Sequence, residues 1–289
     1  MKTLYLCGAG NPEGVRLATV VNRAQNRWDR IVILDDDPSK HGQSILGVEI
    51  VGPFSLLEQA DPTASEISNM VARTTSRRHA AAHKLKSCGL PFATLIDPGV
   101  DISGVEFRNE ITVYQHVSFC AAAFVDEASV VFTGAVIGHG CRVGRCCVVA
   151  PGAVINARVE LGEGVYLGTN ASILPDLKLG PWATVGANSA VVQNVPAGAT
   201  VMGVPAQVLV PGGGEVSREA EAAVAPAENP SDARQLPAST EDQPEPAAHL
   251  SDAMLKLRTA QHKFIESHQS GKTCLGSRAG SEDTPRRRV

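Results

Sequence analysis

The stretch VVFTGAVIGHGCRVGRCC, Val130 to Cys147, decides the fold. Its large aliphatics stand six apart, at Val131, Ile137 and Val143. Carried outward, the same count runs from Phe107 to Val191, fifteen successive large apolar residues without an exception. Four residues after each stands a second apolar or small residue, as at Ala135, Cys141 and Cys147. Glycine follows the aliphatic at Gly138, Gly144, Gly162, Gly168, Gly180 and Gly186. With apolar residues at 43% of the chain, chance does not produce such a run.

A period of six suits neither a lone helix nor a hairpin. It suits a solenoid in which each hexad is one short strand and a turn, so that three hexads close a triangular coil. The aliphatic then fills the interior, the small residue packs near a corner, and the glycine is expected to supply turn conformations closed to other residues. The fifteen hexads predict about five coils.

The flanking regions read differently. Up to about residue 98, KTLYLCGAG is a strand entering a Gly-rich turn, and PEGVRLATVVNRAQN is helical, with Pro12 in its first turn. RIVILDDDP is a second strand, SEISNMVARTTSRRHAAAHKLKSCG a weaker strand and a helix closing on Gly89, and PFATLID one more strand. Alternating strands and helices predict a small parallel sheet with helices on its faces. The domains are therefore expected at 1–98 (Rossmann-like), 99–210 (the solenoid) and 211–289. This last region is rich in Pro, Ala, Glu and Ser. That composition suits a disordered tail, with an amphipathic helix patterned at 250–267.

Composition narrows the function. A net charge of −4 gives no argument for nucleic acid or a charged membrane surface. No apolar run has the length of a membrane span, and MKTLYLCGAGNPEG is too short in apolar residues for a signal peptide. Seven cysteines, an odd number, make no disulfide framework. The sequence is read as that of a soluble, cytoplasmic protein.

The hexad register, closed by GVPAQV at Gly203–Val208, resembles the left-handed β-helix acyltransferases. The order of parts, GAGNPEG, then ILDDDP, then SRRHAAAHKLKSCGLPFATLIDP, then hexads carrying GHGC, is similar to the sialic-acid O-acetyltransferase and bacillosamine N-acetyltransferase type. The likeness covers residues 2–208. It implies a Rossmann-like domain that binds a nucleotide-sugar, a β-helix that binds acetyl-CoA, and a homotrimer with active sites between neighbouring helices. The activity implied is acetyl transfer to the amine or hydroxyl of a UDP-linked sugar in surface-glycan biosynthesis, without a metal.

Such a transfer needs a base, an oxyanion donor and held substrates. His139 lies two residues after inward-facing Ile137, at a turn, and falls at the family's catalytic histidine. The acid that follows in the family is here Gly140, a second family histidine falls at Val148, and an asparagine at Phe132. By resemblance the oxyanion donor is the N–H of Ala157, and acetyl-CoA lies past Gly168, Thr169, Asn170 and Ala187 to Gly203, Val204 and Pro205. The family's basic residue after GVPA is Gln207.

In the first domain Gly8, Ala9 and Gly10 form a strand-to-helix turn whose N–H groups suit a phosphate. Asp35 and Asp36 suit a ribose or uracil, or else make a turn before Pro38. Arg77 and Arg78 read as a solvated helix face, Cys141 and Cys147 as core, and His116 as a turn residue. Two other readings stay open: an impaired trimeric homologue serving as a binding or scaffold protein, and an acyltransferase with a non-sugar acceptor.

Overall fold

A computed structural model describes residues 1–210. The region 211–289, with the tail and the helix expected at 250–267, lies outside the described residues.

The first part is a five-stranded sheet. It contains β1 (Thr3–Cys7), β2 (Arg30–Leu34), β3 (Ser44–Ile45), β4 (Val48–Gly52) and β5 (Ser65–Asn69), in the order β3-β4-β2-β1-β5. β4, β2, β1 and β5 are parallel, and β3 is an antiparallel edge. Helix α1 (Pro12–Gln25) follows β1, capped by Asn11, whose side chain accepts from the Gly14 N–H. Helix α2 (Thr75–Lys86) follows β5, capped by Thr74. The β3–β4 hairpin was not anticipated. It turns through Leu46 and Gly47, both at positive φ, and leucine is a poor signal for such a turn.

The strand expected in PFATLID joins this sheet only by one parallel bridge, Phe92 to Ile67 of β5. Only Leu95–Ile96 (β6) forms, pairing in parallel with Thr112–Val113 of the first coil. The chain has already left β5 there, with a last bridge from Phe92 to Ile67.

From Glu106 to Val191 every hexad contributes a two-residue strand that ends on its aliphatic, and each strand up to Ser172–Ile173 and Tyr166–Leu167 pairs in parallel with the one eighteen residues on, the spacing falling to sixteen in the last coil. Three stacked sheets result. Face I carries Val113, Val131, Val149, Leu167 and Val185; face II Phe119, Ile137, Ile155, Ile173 and Val191; face III Phe107, Val125, Val143, Leu161 and Leu179. The aliphatics and the small residues form one continuous core, with Cys141 and Cys147 fully buried in it as expected.

The six glycines are needed for another reason than the one expected. None of Gly138, Gly144, Gly162, Gly168, Gly180 and Gly186 has positive φ. They sit where the next layer approaches closely. A Cβ on Gly138 would lie 2.6 Å from the Asn156 carbonyl carbon and 2.8 Å from the Ala157 nitrogen. The left-handed turn position falls two residues later, and any residue type occupies it, including Glu110, His116, Gly140, Arg158, Asp176 and Trp182.

Candidate active site

The coil's corners stack into columns. At the corner from face II to face III, the Gly140 N–H donates to Ala121 O (3.1 Å), Arg158 N–H to His139 O (2.9 Å) and Asp176 N–H to Ala157 O (3.0 Å). His139 and Ala157 are thus successive rungs of one column. His139 is exposed, and among the described residues no side-chain hydrogen bond reaches its ring. Among the described residues the Ala157 N–H meets no acceptor, and neither do the N–H groups of His139, Thr169 and Ala187 in the equivalent turn position. The column therefore carries the His139 imidazole one rung from the Ala157 N–H.

At the corner from face I to face II, the Asn170 N–H donates to Pro151 O and the Asn188 N–H to Thr169 O, so Thr169 and Ala187 are successive rungs. Gly168 permits the close stacking there, since its Cβ would lie 2.6 Å from the Ala187 nitrogen. Asn170 holds the left-handed turn. Gly203 joins this region through its N–H, which donates to Ser189 Oγ (3.1 Å), and Val204 and Pro205 are exposed at the tip of the closing hairpin.

The expected site residues therefore occupy two corners, on either side of face II. One chain brings His139 to Ala157 and Gly168 to Ala187, and it does not bring the two pairs together. Between them face II shows only small side chains outward, at Val136, Val154, Ser172 and Ala190. A depression of about 350 Å³ on face III, lined by Phe124, Arg142, Glu160 and Lys178 among others, contains none of the expected residues.

Face I is covered by the first domain. Val130, Val148 and Tyr114 are buried in one cluster with Leu4, Val15 and Leu17 of that domain, and Phe132 stacks on Tyr114 with ring centroids 4.8 Å apart. Tyr114 Oη accepts from Asn11 Nδ2 at 2.7 Å, and burial pushes its phenol up to about 12. Val148 and Phe132, the positions where the family has polar side chains, thus belong to an apolar joint between sheet and coil.

Arg78 corrects the reading of a solvated helix face: it is 1% exposed, whereas Arg77 is exposed. Its Nε donates to Ala128 O (2.6 Å) on the coil, and NH1 to Asn69 O and Val71 O (3.0 Å each). Beside it Glu110 is 4% exposed, its Oε1 has no hydrogen-bond partner among the described residues, and burial raises its carboxyl to about 7 although the Arg78 charge opposes the rise. An ion ladder continues along this third corner, from Lys86 to Glu127, Arg145 and Glu163. No sequence signal marked Arg78, because its coil partner lies fifty residues away.

In the Gly-rich turn two of the three donors are already engaged. The Gly8 N–H donates to Leu34 O (2.8 Å) and the Ala9 N–H to Asp35 Oδ2 (2.8 Å), so among the described residues the Gly10 N–H alone of the three meets no acceptor. Asp35 also accepts from the Asp37 N–H and from Lys40. Burial works against its ionisation, but these donors outweigh it and hold the carboxyl below its ordinary range. Asp35 is a brace for the turn. Asp36 is exposed, held by Lys84 (2.6 Å) and the Phe54 N–H (2.9 Å).

No protein-family model matches the sequence, and no curated protein matches it. Solved structures do. The acetyltransferase domain of PglB from Neisseria gonorrhoeae is 26% identical, with a TM-score of 0.67 over 72% of this chain and 100% of that one. The chain has the left-handed β-helix fold of the hexapeptide-repeat sugar acetyltransferases. The same PglB domain in complex with acetyl coenzyme A is 26% identical, with a TM-score of 0.65 over 72% of this chain and 99% of that one. PerB from Caulobacter crescentus, in complex with CoA and GDP-perosamine, shares the fold at 24% identity, with a TM-score of 0.64 over 72% of this chain and 97% of that one. Among the described residues no helix is long and apolar enough to cross a membrane.

Proposed function

We propose that this chain transfers an acetyl group from acetyl-CoA to the amine or hydroxyl of a nucleotide-linked sugar. The observation that carries the reading is the likeness to the PglB acetyltransferase domain, which spans that domain's whole length. The exposed His139 beneath an unengaged Ala157 N–H supports the chemistry.

In this reading His139 takes the proton from the acceptor as it attacks the acetyl carbonyl, and the Ala157 N–H donates to the oxygen that gains charge. His139 then returns the proton to the departing CoA thiolate. The corner of Gly168, Thr169, Asn170 and Ala187, with Gly203, Val204 and Pro205, holds the CoA. Because that corner and His139 flank face II within one chain, the working site needs a second copy, and the small side chains of face II suit packing in a homotrimer.

The acceptor is proposed to be a UDP-linked amino sugar bound by the first domain near Gly10 and Asp36. PerB has GDP-perosamine bound, so both nucleotides belong in the test. A scaffold function is the second reading, favoured by the apolar filling of Val148 and Phe132. Titration of acetyl-CoA into the protein, followed by mass spectrometry of each candidate sugar after incubation, separates them. An acetylated sugar supports the enzyme; no CoA binding and no product would leave the scaffold.

A further inference from the structure

We propose that Tyr114 is a positioning residue for the acceptor, holding the Gly-rich turn on the coil through its hydrogen bond to Asn11. The role rests on the reading of that turn as the acceptor's seat.

Asn11 joins three parts of the molecule with one side chain. It follows Gly10 directly, its Oδ1 caps α1 by accepting from the Gly14 N–H at 3.1 Å, and its Nδ2 donates to Tyr114 Oη at 2.7 Å. An amide engaged at both ends is fixed in direction as well as in place. Tyr114 is fixed in turn. It is 1% exposed, its ring lies parallel to that of Phe132 (4.8 Å between centroids, 4° between planes), and its N–H donates to Val131 O at 2.9 Å. Gly14 leaves room for the hydroxyl, since a Cβ there would stand 3.2 Å from Tyr114 Oη and 3.2 Å from Asn11 Nδ2. Among the described residues this is the hydrogen bond that ties residues 8–14 to the coil. The ties from Arg78 and Lys86 belong to α2 and to the opposite edge of face I.

The coil end of this contact sits on the edge proposed for CoA. Tyr114, Phe132, Ala150 and Gly168 follow one another at intervals of eighteen, each just past the face I strand of its own layer. With strands about 4.8 Å apart, three layers put Gly168 about 14 Å along the edge from Tyr114. The turn that would hold the nucleotide and the corner that would hold the thioester thus share one edge at a set offset. A sugar carried between them must span that offset, and the Asn11–Tyr114 bond keeps it constant. Without the bond the turn would be competent for only part of the time. That raises the apparent dissociation constant of the acceptor and leaves the CoA corner alone.

The test uses the full chain as Tyr114→Phe, Asn11→Ser and both together. Phenylalanine keeps the ring and its stacking, and serine keeps a cap on α1 but does not reach the hydroxyl. Steady-state acetyl transfer is measured with UDP- and GDP-linked amino sugars, beside hydrogen–deuterium exchange of the peptide spanning residues 8–18. Each single variant is expected to raise KM for the sugar about fivefold, with kcat and KM for acetyl-CoA within about twofold of wild type. Exchange over residues 8–18 should rise about fivefold in both. The double variant should be no worse than either single one, because each removes the same contact. Unchanged exchange, additive losses in the double variant, or kcat and KM for acetyl-CoA moving together with the sugar KM would overturn the proposal. A wild type that acetylates no sugar would sink the proposed function and this role with it. An active wild type whose variants keep its sugar KM would sink the role alone.

Discussion

Two glycines two residues apart should respond differently to alanine. At Gly138 a Cβ would be 2.6 Å from the Asn156 carbonyl carbon and 2.8 Å from both the Ala157 nitrogen and the Ile155 oxygen. All three are backbone atoms of the next layer, so no side chain can swing aside. The layers must part by most of an ångström, against strands that pair on both sides of Ile137. Overpacking of this kind costs about 1–3 kcal/mol, and a rigid backbone neighbour puts the expectation at about 3. At Gly140 the space is ordinary and the obstacle is φ 66°. A left-handed alanine costs about 1–2 kcal/mol, and the stiffer unfolded chain returns about half to one, leaving a net loss of about 1. Urea unfolding followed by far-ultraviolet circular dichroism measures both. Equal losses, or a larger loss for Gly140→Ala, would refute the assignment of Gly138 to close approach and Gly140 to the turn.

Arg78→Met should destabilise the chain by about 3 kcal/mol in the same assay, because two buried carbonyls and one part-buried carbonyl lose a charged donor while the side chain's own burial penalty is relieved. Limited proteolysis should then cut near residue 90, between sheet and coil. Glu110 makes stability depend on pH. Its folded carboxyl, at about 7, lies above the ordinary 4.5, so the stability present below pH 4.5 is lost as pH rises through 7. Glu110→Gln should therefore match wild type near pH 4 and exceed it by about 1–2 kcal/mol at pH 8, read from denaturation midpoints across that range.

The coil was legible because one inward aliphatic per six residues is a strict demand, met from Phe107 to Val191. The cause of its glycines was not, because close approach and positive φ select the same residue. Only the ten non-glycine residues of the coil at positive φ, Arg158 and Trp182 among them, show where the turn falls. Leu46 hid the β3–β4 hairpin for a related reason, since its sequence carries no turn preference. Arg78 was misread because SRRHAAAHKLK is polar on every side, and burial there comes from Ala128 O, a contact no local pattern encodes. The hexad count placed the proposed site residues His139, Ala157 and Gly168 at turns of the coil, but not the fact that two corners divide them.

The central claim is that this coil transfers an acetyl group and that His139 is its base. Thiol release from acetyl-CoA, with a panel of UDP- and GDP-linked amino sugars and with His139→Ala beside wild type, tests it most directly. With His139 as the base, release should require a sugar and fall about a hundredfold or more in a variant that remains folded. Release that persists in His139→Ala would remove the base, and a wild type that neither releases thiol nor binds CoA would contradict the enzyme altogether.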